Sequence, residues 1–478
     1  MMMKLSEIFK NYTGEDVEIS GIKTNSNAVS SGDLFVCIKG VFKDRHDYID
    51  DAIKNGASAI VVSKDVETSI PTIKVKDTNK ELVNILKVFY DNPQDKLTII
   101  GITGTDGKTT SAKIIQHLLG NDICGYIGTI GIDCRYFVDK TNNTTPPAEK
   151  LFEAFARFVK CGIKYVALEA SSEAFFYHRL DGINFSLGCF TNITSDHLNT
   201  HKTLENYINC KKKLFINSDK QVLNSNDLHF NEIKSISKDY LTYGFNDFDT
   251  LRINSYTLYP NKTSINLSYC NNTYEFETSL LGKFNVENIA LSILTLIRLG
   301  YEIEDLLPKT RNLIIPGRMQ AINNDKNFFC IVDYAHTTNS IQNVLEFANM
   351  LKVNSIKVIT GQAGGRDQIK RKDIGKIILD NSTYAYLTED DPRFEKVEDI
   401  INMMLEDTDK TNYEIILSRK DAIKKAIHEA QENDLLLFLG KGVDKYMAIE
   451  DRRDSYDEIE EILNALKSVS TKDFPSTN

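Results

Sequence analysis

The sequence predicts an α/β protein of three domains: an N-terminal α/β domain over residues 1–94, a central sheet of the P-loop ATPase type over 95–312, and a Rossmann-like C-terminal domain over 313–478. Three observations carry this expectation. From residue 95 onward, short apolar, β-branched runs alternate with helical patterns, which is how open α/β sheets read. A glycine-rich loop joins one such run to a helix within 97–111. At 478 residues the chain is also too long for one domain of ordinary size.

Composition narrows the function classes. With 41% hydrophobic and 26% charged residues the chain has ample core for a globular protein. A net charge of −10 without a basic face argues against nucleic acid as the main partner, so any phosphate must be held by a compact set of local groups. Eight cysteines are scattered without C-x-x-C or metal-site spacing, which reads as reduced, buried thiols. No apolar run approaches the roughly 20 residues of a bilayer span, and the first ten residues carry no apolar signal segment. A cytoplasmic monomer without membrane contact is expected.

In the first domain, GIKTNSNAVSSGDLFVCIKG reads as strands around a turn at 30–33. DRHDYIDDAIKNG reads as a helix stopped by Asn55 and Gly56, and 59–62 as the next strand. Ser26, Asn27, Arg45 and His46 occupy loops, open alike to solvation and to binding. The helix ELVNILKVFYDNP closes the domain, with Asn92-Pro93 as its boundary.

The central domain is organised around LTIIGITGTDGKTTS. Residues 97–102 read as a buried strand, Gly101, Gly104 and Gly107 punctuate a loop that includes Thr105, and Lys108, Thr109 and Thr110 open a helix. These are the parts that hold a polyphosphate such as ATP. Glycines let backbone N–H groups approach the oxygens, the helix start favours negative charge, Lys108 reaches the outer phosphates, and Thr109 ligates Mg²⁺. The general P-loop pattern needs a first glycine where Ile102 stands.

Further strands are expected at 163–168, 186–190 and 221–223, with ligands gathered beyond their carboxyl ends. Glu169 directly follows the first of these, and Asp196 and His197 come shortly after the second. A carboxylate beside the γ-phosphate is chemically natural, whereas imidazole is an unusual magnesium ligand. In LENYINCKKKLF, the spacing of Tyr207, Lys211, Leu214 and Phe215 turns Lys211 toward the packed side and leaves Lys212 and Lys213 as a solvated face. A buried lysine needs a partner or must lose its charge. Residues 240–280 read as peripheral antiparallel strands, and LLGKFNVENIALSILTLIRLG as a helix.

The third domain opens near 315–318. Four strands with glycine or charge just past them, in FFCIVDYAH, SIKVITGQAGGRD, YAYLTEDDPRFE and DLLLFLGKGVDKY, fit a second α/β sheet. The polar tail after about 466 is expected to fray.

Read together and in order, these motifs resemble the Mur ligases, ATP-dependent amino-acid-adding enzymes of bacterial peptidoglycan synthesis. The likeness covers nearly the whole chain: GTDGKTT, NNTTP at 142–146, EASSEAFFYHRL at 169–180, TNITSDHLNTH at 191–201, YINCKKKLF at 207–215, FNVENIA, IPGRM, VDYAH, GGRDQIKR, DDPR and GKG. The resemblance implies that Gly104, Thr105, Gly107, Lys108, Thr109 and Thr110 serve ATP and Mg²⁺. It also implies that Glu169, His197 and a carbamylated Lys211 bind a second Mg²⁺, with Lys108, Lys211, His197 and Glu169 as the catalytic set. Asn288 would contact adenine, and Arg318 and Asp333 would reach phosphate and ribose. Thr144, Thr145, Ser171 and Arg179 would hold a UDP-muramoyl-peptide substrate, with Ser26 gripping UDP in what would be a UDP-binding first domain. The incoming amino acid would be read by Asp390, Asp391, Arg393, Gly440 and Asp444. The implied reaction adds an amino acid to UDP-N-acetylmuramoyl-L-Ala-D-Glu through an acyl phosphate.

The chain departs from the family pattern at named positions. The first-domain T-D-S-R reads Thr24-Asn25-Ser26-Asn27, S-S-H reads Ser171-Ser172-Glu173, D-N-P-R reads Asp390-Asp391-Pro392-Arg393, and G-K-G-H-E reads Gly440-Lys441-Gly442-Val443-Asp444. Asp391 and Asp444 tilt the pocket toward an amino group, which favours a diamino acid such as lysine or diaminopimelate. Two rival readings stay open: a paralogue that ligates an amino acid to a different carboxylate acceptor, and a nucleotide-binding homologue without catalysis.

Overall fold

In the computed structural model, residues 2–40, 43–194, 198–365 and 368–468 are described. They form two compact units, one made of Met1–Arg252 with Asn288–Glu302 and the other of Ile253–Glu287 with Ile303–Asn478.

The first unit holds two sheets. The N-terminal one has four parallel strands in sequence order, Gly21–Lys23, Asp33–Val36, Ala59–Val62 and Thr72–Lys74. The first two are therefore parallel neighbours joined through the short 3-10 turn Ser26–Ala28, not the arms of a hairpin. Alternation along these strands divides the apolar residues between two faces. Leu34, Val36, Ala59 and Val61 enter the core that also contains Phe152, Phe155 and Phe158 of the helix Ala148–Lys160. Phe35, Ile60 and Val62 pack with Ile49 and Ala52 of the helix Ile49–Lys54. Residues 1–94 thus share one continuous core with the sheet region C-terminal to them.

The second sheet of this unit runs in the order Phe137–Asp139, Gly131–Cys134, Cys124–Gly128, Tyr165–Glu169, Thr98–Thr103, Phe185–Phe190, Ser218–Asn224 and Tyr240–Gly244, followed by the start of Leu251–Leu258. Pairing is parallel from Cys124–Gly128 through to Leu251. The expected antiparallel character of 240–280 therefore fails for Tyr240–Gly244, which pairs in parallel with the start of Leu251–Leu258, and holds for the hairpin Thr263–Tyr269 with Asn272–Thr278, which belongs to the second unit. Thr98–Thr103 lies mid-sheet: the chain leaves it toward Cys124–Gly128 on one side and later crosses from Tyr165–Glu169 to Phe185–Phe190 on its other side, a reversal of direction of the kind at which open α/β sheets bind ligands. Gly101 permits close packing there. A Cβ at Gly101 would sit 2.6 Å from Leu214 and 2.7 Å from Phe185, so the helix Leu204–Ile216 lies directly on this strand.

The second unit carries a six-stranded sheet in the order Gln320–Ile322, Phe329–Asp333, Asp434–Leu439, Ser355–Thr360, Tyr384–Leu387 and Tyr413–Ile415. Only the first strand is antiparallel. Period-two alternation again makes two cores: Ile331, Val358, Leu435 and Leu437 face one side, and Val332, Ile359, Leu436 and Phe438 the other. Among the described residues no helix is long and apolar enough to cross a membrane.

Candidate active site

The phosphate loop is built from the end of Thr98–Thr103 and the helix Lys108–Leu119. Two glycines are required by close approach. A Cβ at Gly104 would meet the Thr191 hydroxyl at 1.8 Å, and one at Gly107, whose φ is 83°, would meet the Asn288 side chain at 2.5 Å. The loop is clamped to the segment after Phe185–Phe190. Thr105 N–H donates to Asn192 O (2.8 Å), Asp106 N–H to Asn192 Oδ1 (2.9 Å), and the Thr105 hydroxyl to Thr194 O (3.1 Å). Gly107 caps the helix without a side-chain bond and its first turn carries no acidic residue. The opening N–H groups, which have no intrahelical acceptor, therefore suit an anion. Thr110 is buried in that turn. Asn288, also buried, accepts a hydrogen bond from the Ser111 hydroxyl at 3.2 Å and so braces the helix start.

Glu169 ends its strand with a fully buried carboxylate that accepts four hydrogen bonds. The donors are the Thr109 hydroxyl (2.9 Å), the Thr129 N–H (3.0 Å), the Thr129 hydroxyl (3.1 Å) and the Tyr126 phenol (2.5 Å). These fill the lone-pair positions a carboxylate offers. Burial and the adjacent Glu169 push the Tyr126 pKa well above its ordinary value, so the phenol stays a donor. Neither Tyr126 nor Thr129 stood out in the sequence; their only signal is a place at the end of the strand next to Tyr165–Glu169.

Beside Glu169, a cavity of about 60 Å³ is lined by Lys108, Thr144, Ser171, Glu173, Arg179 and Lys211, among others. Lys211 is 1% exposed, as its helical spacing predicts. Its ammonium donates to Gly104 O at 2.6 Å and lies 4.4 Å from the centre of the Tyr207 ring. Lys108 donates to the same carbonyl (2.9 Å) and to Thr105 O (2.7 Å). Thr145 donates to Glu169 O (2.6 Å), Arg179 donates to Thr145 O (2.9 Å), and Ser171 caps the helix Ser172–Phe176. Burial pulls the Arg179 pKa below its usual range, opposed by the nearby Glu173. Three cationic side chains thus face one small cavity. Lys213 is exposed, as expected, and donates to Phe175 O, whereas Lys212 is only partly exposed and pairs with Glu232 at 2.5 Å.

Other expected residues lie elsewhere. Ser26 is buried in the first sheet's connection, where its carbonyl accepts from Asn55, and Thr24 ties that domain to the next by donating to Glu149 at 2.6 Å. Asp196 and His197 fall outside the described residues, as does part of GGRDQIKR at 366–367. Of the expected second-magnesium ligands, Glu169 is fully hydrogen-bonded and Lys211 bonds a carbonyl. Among the described residues no three His, Cys, Asp or Glu side chains are grouped to hold a metal. Thr109, whose hydroxyl proton goes to Glu169, keeps its oxygen as a hard donor of the kind Mg²⁺ takes.

In the second unit a cavity of about 220 Å³ lies beyond the carboxyl ends of the strands, lined by Asp390, Asp391, Gly440 and Asp444 with Tyr334, His336 and Lys370, among others. Asp391 accepts from buried Lys441 at 2.7 Å, and Asp444 from the Tyr334 phenol at 3.1 Å. Asp390 is buried, and burial pushes its pKa up to about 7 despite nearby Arg419 and Lys441. Arg393 does not line this cavity; a Cβ at Gly365 would lie 3.6 Å from its guanidinium. Asp333 is buried and accepts from Met319 and Ala335 N–H at 2.6 and 2.8 Å; burial raises its pKa, and Arg318 counters. The guanidinium of Arg318 lies 5.4 Å from the Tyr334 ring centre.

Comparison with known proteins shows the family of the chain. The Mur ligase family catalytic domain matches residues 18–94, the Mur ligase middle domain 102–296, and the Mur ligase glutamate ligase domain 317–442. The chain is 35% identical to a UDP-N-acetylmuramoyl-L-alanyl-D-glutamate–2,6-diaminopimelate ligase of Clostridium perfringens (strain 13 / Type A), covering 95% of this chain and 96% of that protein. A solved structure of an enzyme with the same activity name superposes with a TM-score of 0.72 at 27% identity, covering 98% of this chain and 99% of that one. MurF ligase from Thermotoga maritima, solved in complex with ADP, shares the fold at a TM-score of 0.62 and 20% identity over 94% of this chain and 97% of that one. The chain belongs to the Mur ligase family of ATP-dependent, amide-forming ligases, a three-domain α/β architecture.

Proposed function

We propose that this chain is a MurE-type ligase that joins a diamino acid, diaminopimelate or lysine, to UDP-N-acetylmuramoyl-L-Ala-D-Glu in cytoplasmic peptidoglycan synthesis. The observation that carries the choice of amino acid is the cavity bearing Asp390, Asp391 and Asp444. Lys441 neutralises Asp391 and leaves two carboxylates for a cationic side chain. The activity printed for the Clostridium perfringens relative supports the same choice. Arg393, outside the cavity wall, is assigned to a carboxylate of the incoming amino acid.

In this reading the peptide carboxylate attacks the γ-phosphate to give an acyl phosphate and ADP, and the incoming amine displaces phosphate. The chain's own part is positioning and charge neutralisation. Lys108 turns from its loop carbonyls to the outer phosphates, the open amides of the helix Lys108–Leu119 receive their charge, and Arg179, Thr144 and Ser171 orient the peptide carboxylate. Asn288 serves adenine, Arg318 and Asp333 serve phosphate and ribose, and Ser26 serves UDP. Mg²⁺, when bound, would neutralise phosphate charge; Thr109 would hold one ion, and Glu169, His197 and Lys211 the second.

Phosphate release should require ATP, UDP-muramoyl dipeptide and a diamino acid together, and Lys108→Ala should abolish ADP formation while circular dichroism stays unchanged. Turnover at the wild-type rate in that variant would remove the phosphate-loop assignment.

We also assign Lys211 as N-carboxylated in the working enzyme. Its neutral amine adds to CO₂ and releases one proton, so a third cation in a 60 Å³ cavity becomes an anion. Lys211→Ala should lose most activity and regain part of it with added acetate. Full activity of Lys211→Ala, with density for a bare ammonium at neutral pH in bicarbonate, would reject the assignment. Lys213→Ala should change little.

Asp390 gives a pH prediction. Its pKa in the fold, about 7, lies above the ordinary 3.8, so between those values the folded protein keeps a proton that the unfolded chain has lost. Stability from this group is present at low pH and fades as pH rises toward 7. Asp390→Asn should therefore raise Tm relative to wild type at pH 8 but not at pH 4. Equal shifts at both would mean the carboxylate's charge is not the cause.

A further inference from the structure

The floor of the acidic cavity is made by residues that follow two strands, Asp390 and Asp391 after Tyr384–Leu387 and Gly440 after Asp434–Leu439. These strands are not neighbours: Ser355–Thr360 lies between them. Ladder hydrogen bonds therefore do not fix the spacing of the two strand ends directly. Two side chains span the gap: Lys441, which pairs with Asp391 at 2.7 Å past the strand ends, and Arg419, which holds the strand ends themselves. Arg419, at the start of the helix Arg419–His428, donates from one terminal nitrogen to Leu439 O at 2.8 Å and from the other to Glu389 O at 3.5 Å. Its own N–H donates to the Glu389 carboxylate at 3.1 Å.

The guanidinium is held from behind. Glu458, at the start of the last helix Glu458–Ser468, accepts from Arg419 Nε at 2.9 and 3.1 Å and from its terminal nitrogen at 2.6 Å, while the Tyr456 phenol donates to the same carboxylate. Both charged side chains are 0% exposed. A buried ion pair of this kind seldom stabilises a fold more than well-packed apolar residues would. Its geometry, in contrast, is specific: a planar fork that reaches two backbone carbonyls and a carboxylate at once. The carbonyls it holds belong to the residues immediately before Asp390 and Gly440. Those two also touch, since a Cβ at Gly440 would lie 2.1 Å from Asp390 Oδ2.

We propose that Arg419, braced by Glu458 and Tyr456, is a positioning residue that sets the spacing of Asp390 and Asp391 against Gly440, and through it the affinity for the incoming amino acid. The kinetic part rests on the reading that this cavity takes the diamino acid.

The test uses the full chain with meso-diaminopimelate and with L-lysine. Arg419→Lys keeps the charge and loses the fork; it should raise KM for the amino acid about tenfold or more while KM for ATP stays within about twofold. Tyr456→Phe should shift the amino-acid KM in the same direction by a smaller factor. Lys424→Ala, at an exposed position of the same helix, is the control and should leave both constants unchanged. Equal changes in both KM values, or a fall in kcat alone, would overturn the proposal. If Arg419→Lys does not fold, Tyr456→Phe decides, and an unchanged amino-acid KM in it counts against the proposal.

Hydrogen exchange on the unliganded proteins tests the geometry without turnover. Exchange in Tyr456→Phe should quicken at 388–391 and 439–442; no change there overturns the clamp even where kinetics agree. A wild type inactive with every diamino acid would count against the functional reading, and the exchange result would still decide the clamp.

Discussion

A fully buried carboxylate, that of Glu169, is the constraint on which the phosphate-loop region depends. Removing an ionised carboxylate from water costs several kcal/mol unless hydrogen bonds replace its hydration. Here four do, from Thr109 on the loop helix and from Tyr126 and Thr129 on and after the adjoining strand. Thr145 is fixed to the backbone of the same residue. Three separate segments are thereby tied to one strand end. Loss of any donor leaves a charged acceptor short in a low-dielectric interior, so the arrangement is all or nothing.

The same device recurs in the second unit. Charged side chains sit at the carboxyl ends of parallel strands, buried and cross-paired: Asp391 with Lys441, and Arg419 with Glu458. In both units the apolar body of the sheet carries the stability, and polar groups gather where the strands stop and the loops begin. In the first unit Lys108, Arg179 and Lys211 gather around one cavity of an otherwise acidic protein. The second unit concentrates the opposite charge. This division of charge suits a reaction that joins an activated carboxylate to an amine.

Much of this was legible in the sequence because it is local. Strands such as Thr98–Thr103 and Asp434–Leu439 are continuous apolar runs, and Glu169 and Asp390 were recognisable by position just past such runs. The burial of Lys211 followed from its spacing with Tyr207 and Leu214. What escaped depends on which strands adjoin. Tyr126 and Thr129 become partners of Glu169 only because Cys124–Gly128 pairs with Tyr165–Glu169, an order that the sequence does not state. Arg419 lies in a lysine-rich amphipathic helix that reads as a charged surface, and only the last helix, about 40 residues on, shows it to be buried. Lys212 misled for the same reason, since Glu232 is distant in sequence. Asp391 and Arg393 were both assigned to the incoming amino acid by resemblance to the family's D-N-P-R. Both have positive φ, 46° and 51°, and the turn they make brings Asp391 to the cavity wall and leaves Arg393 off it.

The claim that Glu169 organises the nucleotide loop, apart from any metal it holds, is most directly tested by calorimetric titration of ADP in the presence of EDTA. Glu169→Gln keeps the side chain's shape and removes the charge and half of its acceptor capacity. With the fold intact by circular dichroism, the variant should bind ADP about tenfold more weakly than wild type without metal present. An unchanged affinity in EDTA would contradict the account and reduce Glu169 to a metal ligand alone.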